Sequence, residues 1–445
     1  MSKITVKEFS TNLDKFRVPL SSFEREKRKG LIPYYGAAKI IDYVDGFTHT
    51  GLSVLIAEDG SVETKDGYPV VQLANGEYWV NNHTHVLKGR DDIDTTYLYY
   101  ALQTIKVAPF VTGAVQKKIS QQALNSMEIP YFEDKTDRKR IVEILSSFDE
   151  KIQLNTQINQ TLEQIAQALF KSWFVDFDPV RAKVQALSGG LSLEQAELAA
   201  MQAISGKTPE ELTALSQTQP DRYAELAETA KAFPCEMVEV DGVEVPKGWE
   251  VKRIDEIANI IKGKSYKSSE LEKSKTALVT LKSFNRGGGY RLDGLKEYTG
   301  KYKPEQEVFA GELIIAYTDV TQAADVIGKP AMVMSDSNYQ HLVISLDVGV
   351  VRPFNDVYKH FLYCLAMTDS FQAHTKSFCT GTTVLHLGKD AVPSFEFINP
   401  INELLHVFYK QTSPVFEKIN LHIEENKNLE KARDLLLPRL LKGEI

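Results

Sequence analysis

Residues Glu150–Leu169 read EKIQLNTQINQTLEQIAQAL, and residues Glu417–Leu436 read EKINLHIEENKNLEKARDLL. Set at an offset of 267 residues, the two stretches match at Glu150/Glu417, Lys151/Lys418, Ile152/Ile419, Leu154/Leu421, Asn159/Asn426, Leu162/Leu429, Glu163/Glu430 and Leu169/Leu436. Neither stretch contains Gly or Pro, and both space their apolar residues for a helix. The repeat continues upstream more weakly. Gly113-Ala-Val-Gln-Lys-Lys-Ile119 parallels Gly381-Thr-Thr-Val-Leu-His-Leu387, and Tyr97-Leu-Tyr-Tyr100 parallels Phe361-Leu-Tyr-Cys364. About half the chain is therefore duplicated, and each copy is a globular part followed by a long helix.

The first long helix is expected over Asp137–Phe174, with Asp137 as N-cap. The second is expected over Ile401–Leu441, interrupted at Ser413-Pro414, where Ser would cap a new helix with Pro at its first position. Pro438 should end or kink it. Steps of four and three residues along the first helix pick out Ile141, Leu145, Phe148, Ile152, Asn155, Asn159, Leu162, Ala166, Leu169 and Trp173. The same steps along the second give Val415, Ile419, His422, Asn426, Leu429, Arg433, Leu436 and Leu440. These are heptad seams whose polar members fall at matching positions. Each helix packing on its own globular part is the plain alternative. The sharper expectation is an antiparallel coiled coil in which Asn155, Asn159, His422 and Asn426 form a polar layer that sets register. A helix of about 36 residues would be about 54 Å long, enough to hold two heads apart over a target with two separated half-sites.

The remaining segments complete a five-part plan: a globular head at 1–135, a helix at 136–182, a connector at 183–245, a second head at 246–400 and a helix at 401–445. The heads read as mixed α/β. Ser53–Ala57, Gly311–Ala316 and His341–Ser345 have the apolar runs of strands, and Arg286-Gly-Gly-Gly289 reads as a turn. In the connector, Ser192 and Thr208 open two short helices with capping-box spacing.

The chain has 445 residues, with 52 Lys and Arg against 60 Asp and Glu, a formal charge of −8. The connector alone carries eleven acidic residues against four basic ones, so the rest is nearly neutral and free to form a local basic face. Cysteine is sparse, at Cys235, Cys364 and Cys379, and no CxxC pair occurs. A reducing cytoplasm is the expected location, and Cys364 and Cys379 read as small apolar residues. No apolar run approaches a membrane span, and Met1–Phe16 lacks the apolar core of a signal peptide.

Catalytic signatures are incomplete. Gly263-Lys-Ser265 and Gly206-Lys-Thr208 lack the first glycine of a phosphate-binding loop, with Ala258 and Met201 in its place. Asn399-Pro-Ile401 lacks the second proline and the aromatic of an amino-methyltransferase site, and no GxSxG occurs. His83 and His85 suggest packing or hydrogen bonding before a metal pair, so no metal is expected. Three basic clusters interleave with aromatic and glycine residues and are the candidate DNA contacts. They are Arg25, Lys27, Arg28 and Lys29 leading into Tyr34 and Tyr35; Lys117 and Lys118; and Lys262, Lys264, Lys267, Lys282, Arg286, Lys301 and Lys303. A solvated surface loop is the plain reading of any single cluster.

Several stretches resemble the specificity subunits of type I restriction-modification systems. They are Ile144-Leu-Ser-Ser-Phe-Asp-Glu-Lys-Ile-Gln-Leu-Asn155, Ala168-Leu-Phe-Lys-Ser-Trp-Phe-Val-Asp-Phe177, Pro246-Lys-Gly-Trp-Glu250, Thr380-Gly-Thr-Thr-Val384 and the C-terminal Pro438-Arg-Leu-Leu-Lys-Gly-Glu-Ile445. Pro33-Tyr-Tyr-Gly-Ala37, Leu55-Ile-Ala-Glu-Asp-Gly60 and Trp79-Val-Asn-Asn-His83 resemble one class of target-recognition domain in that family. The resemblance implies an α+β fold: two target-recognition domains on two antiparallel long helices. Each head would read one half of a bipartite, asymmetric DNA site, and the helices would fix the spacer. Pairing would run through Ile152, Asn155, Asn159, Leu162 and Leu169 with Ile419, His422, Asn426, Leu429 and Leu436. Two modification subunits holding S-adenosylmethionine and two restriction subunits using ATP and Mg would do the chemistry, and this chain would carry no catalytic residue and no cofactor. The first head lacks the Gly-Trp-Glu of 248–250, so the halves resemble different recognition classes and their half-sites should differ. The competing readings are a non-catalytic coiled-coil scaffold with two ligand-binding heads, and a self-sufficient nuclease or methyltransferase.

Overall fold

The computed structural model of the chain describes residues 2–113, 116–240, 242–320 and 324–445. Ala114 and Val115, part of the upstream repeat, lie outside the described residues. The described residues fall into two units. The first comprises Met1–Leu154 with Asn426–Ile445, and the second Asn155–Glu425. Each unit thus contains one head and a part of both long helices.

In the first unit, an antiparallel sheet runs Thr11–Asn12, Thr84–Lys88, Ser53–Ala57, Val71–Ala74. Ser53–Ala57 is buried along its whole length, as its unbroken apolar run predicts. A second sheet runs Ile40–Val44, Lys29–Tyr35, Glu77–Val80, His49–Thr50, with its central pair parallel at Tyr34/Trp79. The helix Asp92–Leu102 packs its tyrosines and leucines into the core.

The second unit repeats this topology strand for strand. One sheet runs Ala258–Lys262, Val348–Pro353, Leu313–Ala316, Pro330–Met332, all antiparallel. The other runs Lys296–Glu297, Thr276–Val279, His341–Ile344, Glu307–Val308, again with a parallel central pair. Both units add a two-stranded ribbon, Ser2–Thr5 with Glu128–Tyr131 and Glu250–Arg253 with Glu396–Asn399. Both also carry a short glycine hairpin, Val111–Thr112 with Lys118–Ile119 and Cys379–Thr380 with Leu385–Leu387. The duplication inferred from the helices therefore extends through the heads.

The first long helix spans Lys135–Phe174 and starts earlier than expected. Asp134, not Asp137, caps it: its carboxylate accepts from the Thr136 amide at 2.7 Å. The second spans Asn402–Leu441 without the expected interruption at Ser413-Pro414. Proline removes one backbone donor inside the helix. The Thr412 and Ser413 hydroxyls bond the Phe408 and Tyr409 carbonyls at 2.8 Å, and Phe408 and Phe416 are buried in the core on either side. That burial outweighs the roughly 3 kcal/mol intrinsic cost of an internal proline. Pro438 does not end the helix either. Gly443, at φ +68°, does so: its amide bonds the Leu440 carbonyl and the Glu444 amide reaches Arg439, a Schellman closure.

Within the first unit, both long helices are built into the head. Ile141 and Leu145 of one, with Leu437, Leu440 and Leu441 of the other, complete the head's core. The Arg138 guanidinium pairs with Asp94 at 2.9 Å, both side chains buried, and the Tyr100 hydroxyl donates to Asp149 at 2.6 Å. Arg433 pairs with Asp149, and the Asn426 amide reaches the Ile152 carbonyl at 3.4 Å.

The second unit has its own helix pair. Asn155 donates to Glu425 at 2.8 Å. Asn159 faces His422, oxygen to Nδ1, at 2.8 Å, which places the ring proton on Nδ1. Phe170, Trp173 and Phe174 interlock with Phe361 and Phe408, and Glu163 accepts from the Tyr363 hydroxyl. Trp249 packs on Phe174 and on Phe177, whose left-handed φ of 57° turns the chain out of the first long helix. Both the plain and the sharper expectations for the helices thus hold: they pair with each other and pack on the heads. In the connector, Ser192 and Thr208 cap Leu193–Ser205 and Pro209–Thr218 with complete capping boxes. No helix among the described residues is long and apolar enough to cross a membrane.

Candidate nucleic-acid interface

The basic run of the first head lies against acids on the neighbouring strand. Arg25 and Lys29 both reach Asp42, at 3.0 and 2.9 Å. Lys29, with Arg25 beside it, holds the Asp42 carboxyl down at about 2. Arg28 pairs with Asp45 at 2.8 Å and lies over Trp79, and Lys27 lies over Phe23. Tyr34 departs from its reading as a surface contact. It is buried, its hydroxyl accepts from the Leu20 amide, and the Arg25 guanidinium covers its ring. Tyr35 is half-buried and packs edge-on to Tyr78. Lys117 pairs with Glu63, and Lys118 with Glu58 at 3.0 Å. The acids that tie up these cations are far from them in sequence, so charge counting along the chain does not reveal the pairing.

The two histidines of this head go to different partners. His83 faces Asp59 at 2.8 Å. His85 is fully buried, with Nδ1 against Asp14 at 2.6 Å and Nε2 against the Ile119 carbonyl at 2.9 Å. Both ring nitrogens thus face oxygen atoms within hydrogen-bond distance. Asp14, Glu58 and His85 lie within 4.8 Å of one another. Arg17 and Lys118 already pair with these carboxylates, which gives an ion network in place of an open ligand set. Burial works to raise the Asp14 carboxyl, but His85, the Val86 amide and Arg17 hold it below the usual carboxylate range.

In the second head the fold gathers two of the predicted loops. The Lys264 ammonium bonds the Lys301 carbonyl, and Gln306 reaches the Lys262 carbonyl at 3.5 Å. Lys262 lies over the Tyr317 ring. Lys296, absent from the sequence-based set, bonds the Tyr266 hydroxyl at 3.1 Å. Tyr266, Tyr298 and Tyr302 pack together beneath this face. Lys267 starts the adjoining turn, where Glu270 accepts from its amide, and Lys303 lies 3.7 Å from Glu305. Lys282 and Arg286 sit on a different turn. Both are exposed, and Arg286 has only a loose 3.8 Å approach to Asp325. The second head therefore presents lysines backed by buried and half-buried tyrosines, while the cations of the first head are largely neutralised.

Comparison with known proteins places this architecture. The family described as Type I restriction modification DNA specificity domain matches residues 3–164 and again 246–431, one match per head with its helix. The type I restriction enzyme HindI specificity subunit of Haemophilus influenzae is 47% identical over 330 residues, covering 72% of this chain and 69% of the relative. The MjaIX specificity subunit of Methanocaldococcus jannaschii is 24% identical over 413 residues, covering 88% and 79%. The crystal structure of a type I restriction-modification system S subunit from M. genitalium aligns with 99% of this chain and 95% of its own, at 18% identity and a TM-score of 0.49. On the two family matches and the 47% identity, the chain belongs to the type I restriction-modification specificity subunits.

Proposed function

We propose that this chain is the DNA-reading subunit of a type I restriction-modification complex, each head reading one half of a bipartite, asymmetric site. The observation that carries the reading is the construction of each unit, in which a head is fixed to both long helices by buried contacts: Arg138–Asp94 and the packing of Leu440 and Leu441 in the first unit, and the Phe170–Phe361 and Phe416–Tyr363 pairs in the second. A head held this way takes its position from the helices, so helix length sets the spacer. Base contacts would come from exposed cations on the heads, with Arg286 and the Lys262–Lys303 face first among them. Tyr34 is excluded by its burial.

Two modification subunits would dock along the helices and methylate adenine N6 from S-adenosylmethionine. Two restriction subunits would supply ATP-driven, Mg-dependent translocation and cleavage. This chain would act in the cytoplasm, hold no cofactor and take no part in bond making. Its −8 charge leaves much of the phosphate neutralisation to its partners.

The test is co-expression with a candidate modification subunit from the same host, followed by single-molecule methylation mapping of host DNA. The expected result is a two-part motif with N6-methyladenine in both halves, lost on deletion of this chain. A palindromic or continuous motif overturns the two-head reading.

A further inference from the structure

The two heads differ on the surfaces that carry their charges but share one exposed device. In the first unit Gly113 opens a hairpin at φ +88°, and a Cβ there would lie 2.1 Å from the Gln116 carbonyl oxygen. In the second unit Gly381 opens its counterpart at φ +109°, and a Cβ would lie 2.1 Å from the Val384 carbonyl oxygen. Both positions demand glycine twice over, by φ and by space. Each hairpin hangs from the segment that follows the innermost strand of its head. Ile119 bonds the Glu58 carbonyl at 2.8 Å, and Leu387 bonds the Tyr317 carbonyl at 2.9 Å. Asp59 bridges Lys118 in one unit, and Asp319 pairs with Leu385 in the other.

A feature built alike in two heads that read different sequences serves what the two half-sites have in common. Bases differ between half-sites; the phosphate backbone does not. The fully described hairpin has the chemistry for it. Gly381, Thr382 and Thr383 are exposed at its tip, presenting hydroxyl and amide donors and no acid, while the Thr380 hydroxyl below them donates to the His386 carbonyl at 3.4 Å. Lys376 lies in the last turn of the helix Asp369–Ser377 that leads into the hairpin. Gly328, next to Lys329, packs against Thr375 on that helix. Burial and then the neighbouring Lys376 push the Lys329 ammonium down, while Asp369 and Asp325 partly oppose them. An anion would relieve that crowding of like charges.

We propose that the Cys379–Leu387 hairpin, with Lys329 and Lys376 at its base, is a clamp for the phosphate backbone that acts regardless of base sequence. The clamp rests on the reading of the heads as DNA-binding. It divides the labour in the second head: the hairpin grips, and the Lys262–Lys303 face and Arg286 discriminate.

The experiment uses the full chain in complex with its modification subunits, binding a fluorescent duplex that carries the mapped site and a duplex with that site scrambled, over a salt series. T382V/T383V is expected to weaken both duplexes by the same factor. K329Q/K376Q is expected to lower the slope of log affinity against log salt by about 1.8, two phosphate contacts at about 0.9 each. The mapped methylation motif should stay unchanged in both. Unaltered affinity and slope, or a loss confined to the cognate duplex, overturns the clamp. So does loss of the modification subunits from either variant complex, which would make the hairpin a protein-docking element. Wild-type complex that binds neither duplex overturns the DNA reading of the heads and the clamp with it, and the wild-type control tells that case apart.

Discussion

His360 is buried between the rings of Tyr409 and Phe416 at 5.0 and 4.5 Å, with Nδ1 2.9 Å from the Thr412 hydroxyl. Thr412 spends its proton on the Phe408 carbonyl, so its oxygen accepts from a neutral imidazole. Burial, with Lys359 nearby, brings the His360 pKa down to about 4. The unfolded chain takes up this proton near pH 6.5 and the folded chain near 4, so stability is complete above pH 6.5 and declines as pH falls to 4. The difference amounts to about 3 kcal/mol. H360F should therefore show a shallower fall in melting temperature between pH 7 and pH 4 than the parent chain. Equal slopes would mean that the imidazole is not held neutral. Other residue identities were legible only in part. Asn159 and His422 stood out as polar members of an apolar seam, and they meet. Tyr34 looked like a surface aromatic beside a basic run, yet it is buried, because the packing of Leu20 and Arg25 around it depends on contacts that no local pattern encodes.

The long helices show how far a repeat can be read. Their heptad seams give the expectation of an antiparallel pair, which Asn159/His422 meets, while Asn155 turns to Glu425, a residue outside the expected seam. Local rules failed at the breaks. Ser413-Pro414 reads locally as an interruption where a new helix begins, but helix propensity is a small term beside the burial of Phe408 and Phe416. If the helices set the spacer, inserting four residues after Gln157 and four after Glu424, about one turn in each, should lengthen the unspecified gap in the methylated motif. The two half-site sequences should stay as they were. Methylation mapping of the insertion variant reads this directly, and altered half-sites would show that the helices also shape the reading surfaces.

For the molecule as a whole, the consequential feature is that the C-terminus completes the core of the N-terminal head. Leu437, Leu440 and Leu441 are buried with Val6, Tyr97 and Leu145. Truncating one such leucine to alanine costs about 2–5 kcal/mol, so removing Asp434–Ile445 should unfold much of the first unit. Hydrogen exchange should then rise across Ser53–Ala57 and Asp92–Leu102 and stay protected across Leu313–Ala316. Uniform protection in both units would show that the first head is stable without its C-terminal helix.

The amino-acid sequence alone determined the duplication, the two long helices with their polar seam positions, the strands within Ser53–Ala57 and Gly311–Ala316, and the family resemblance, because each rests on local periodicity or on residues compared along one chain. Tertiary structure alone decided three things. The heads share one topology where their sequences do not match, because a sheet is specified by which faces are buried and tolerates many residue choices. The cations of the first head are neutralised by Asp42, Asp45, Glu58 and Glu63, because ion pairs depend on distance in space. Gly113 and Gly381 turned from a weak repeat into matched hairpins, because the constraint on each is a carbonyl oxygen 2.1 Å from where a Cβ would stand.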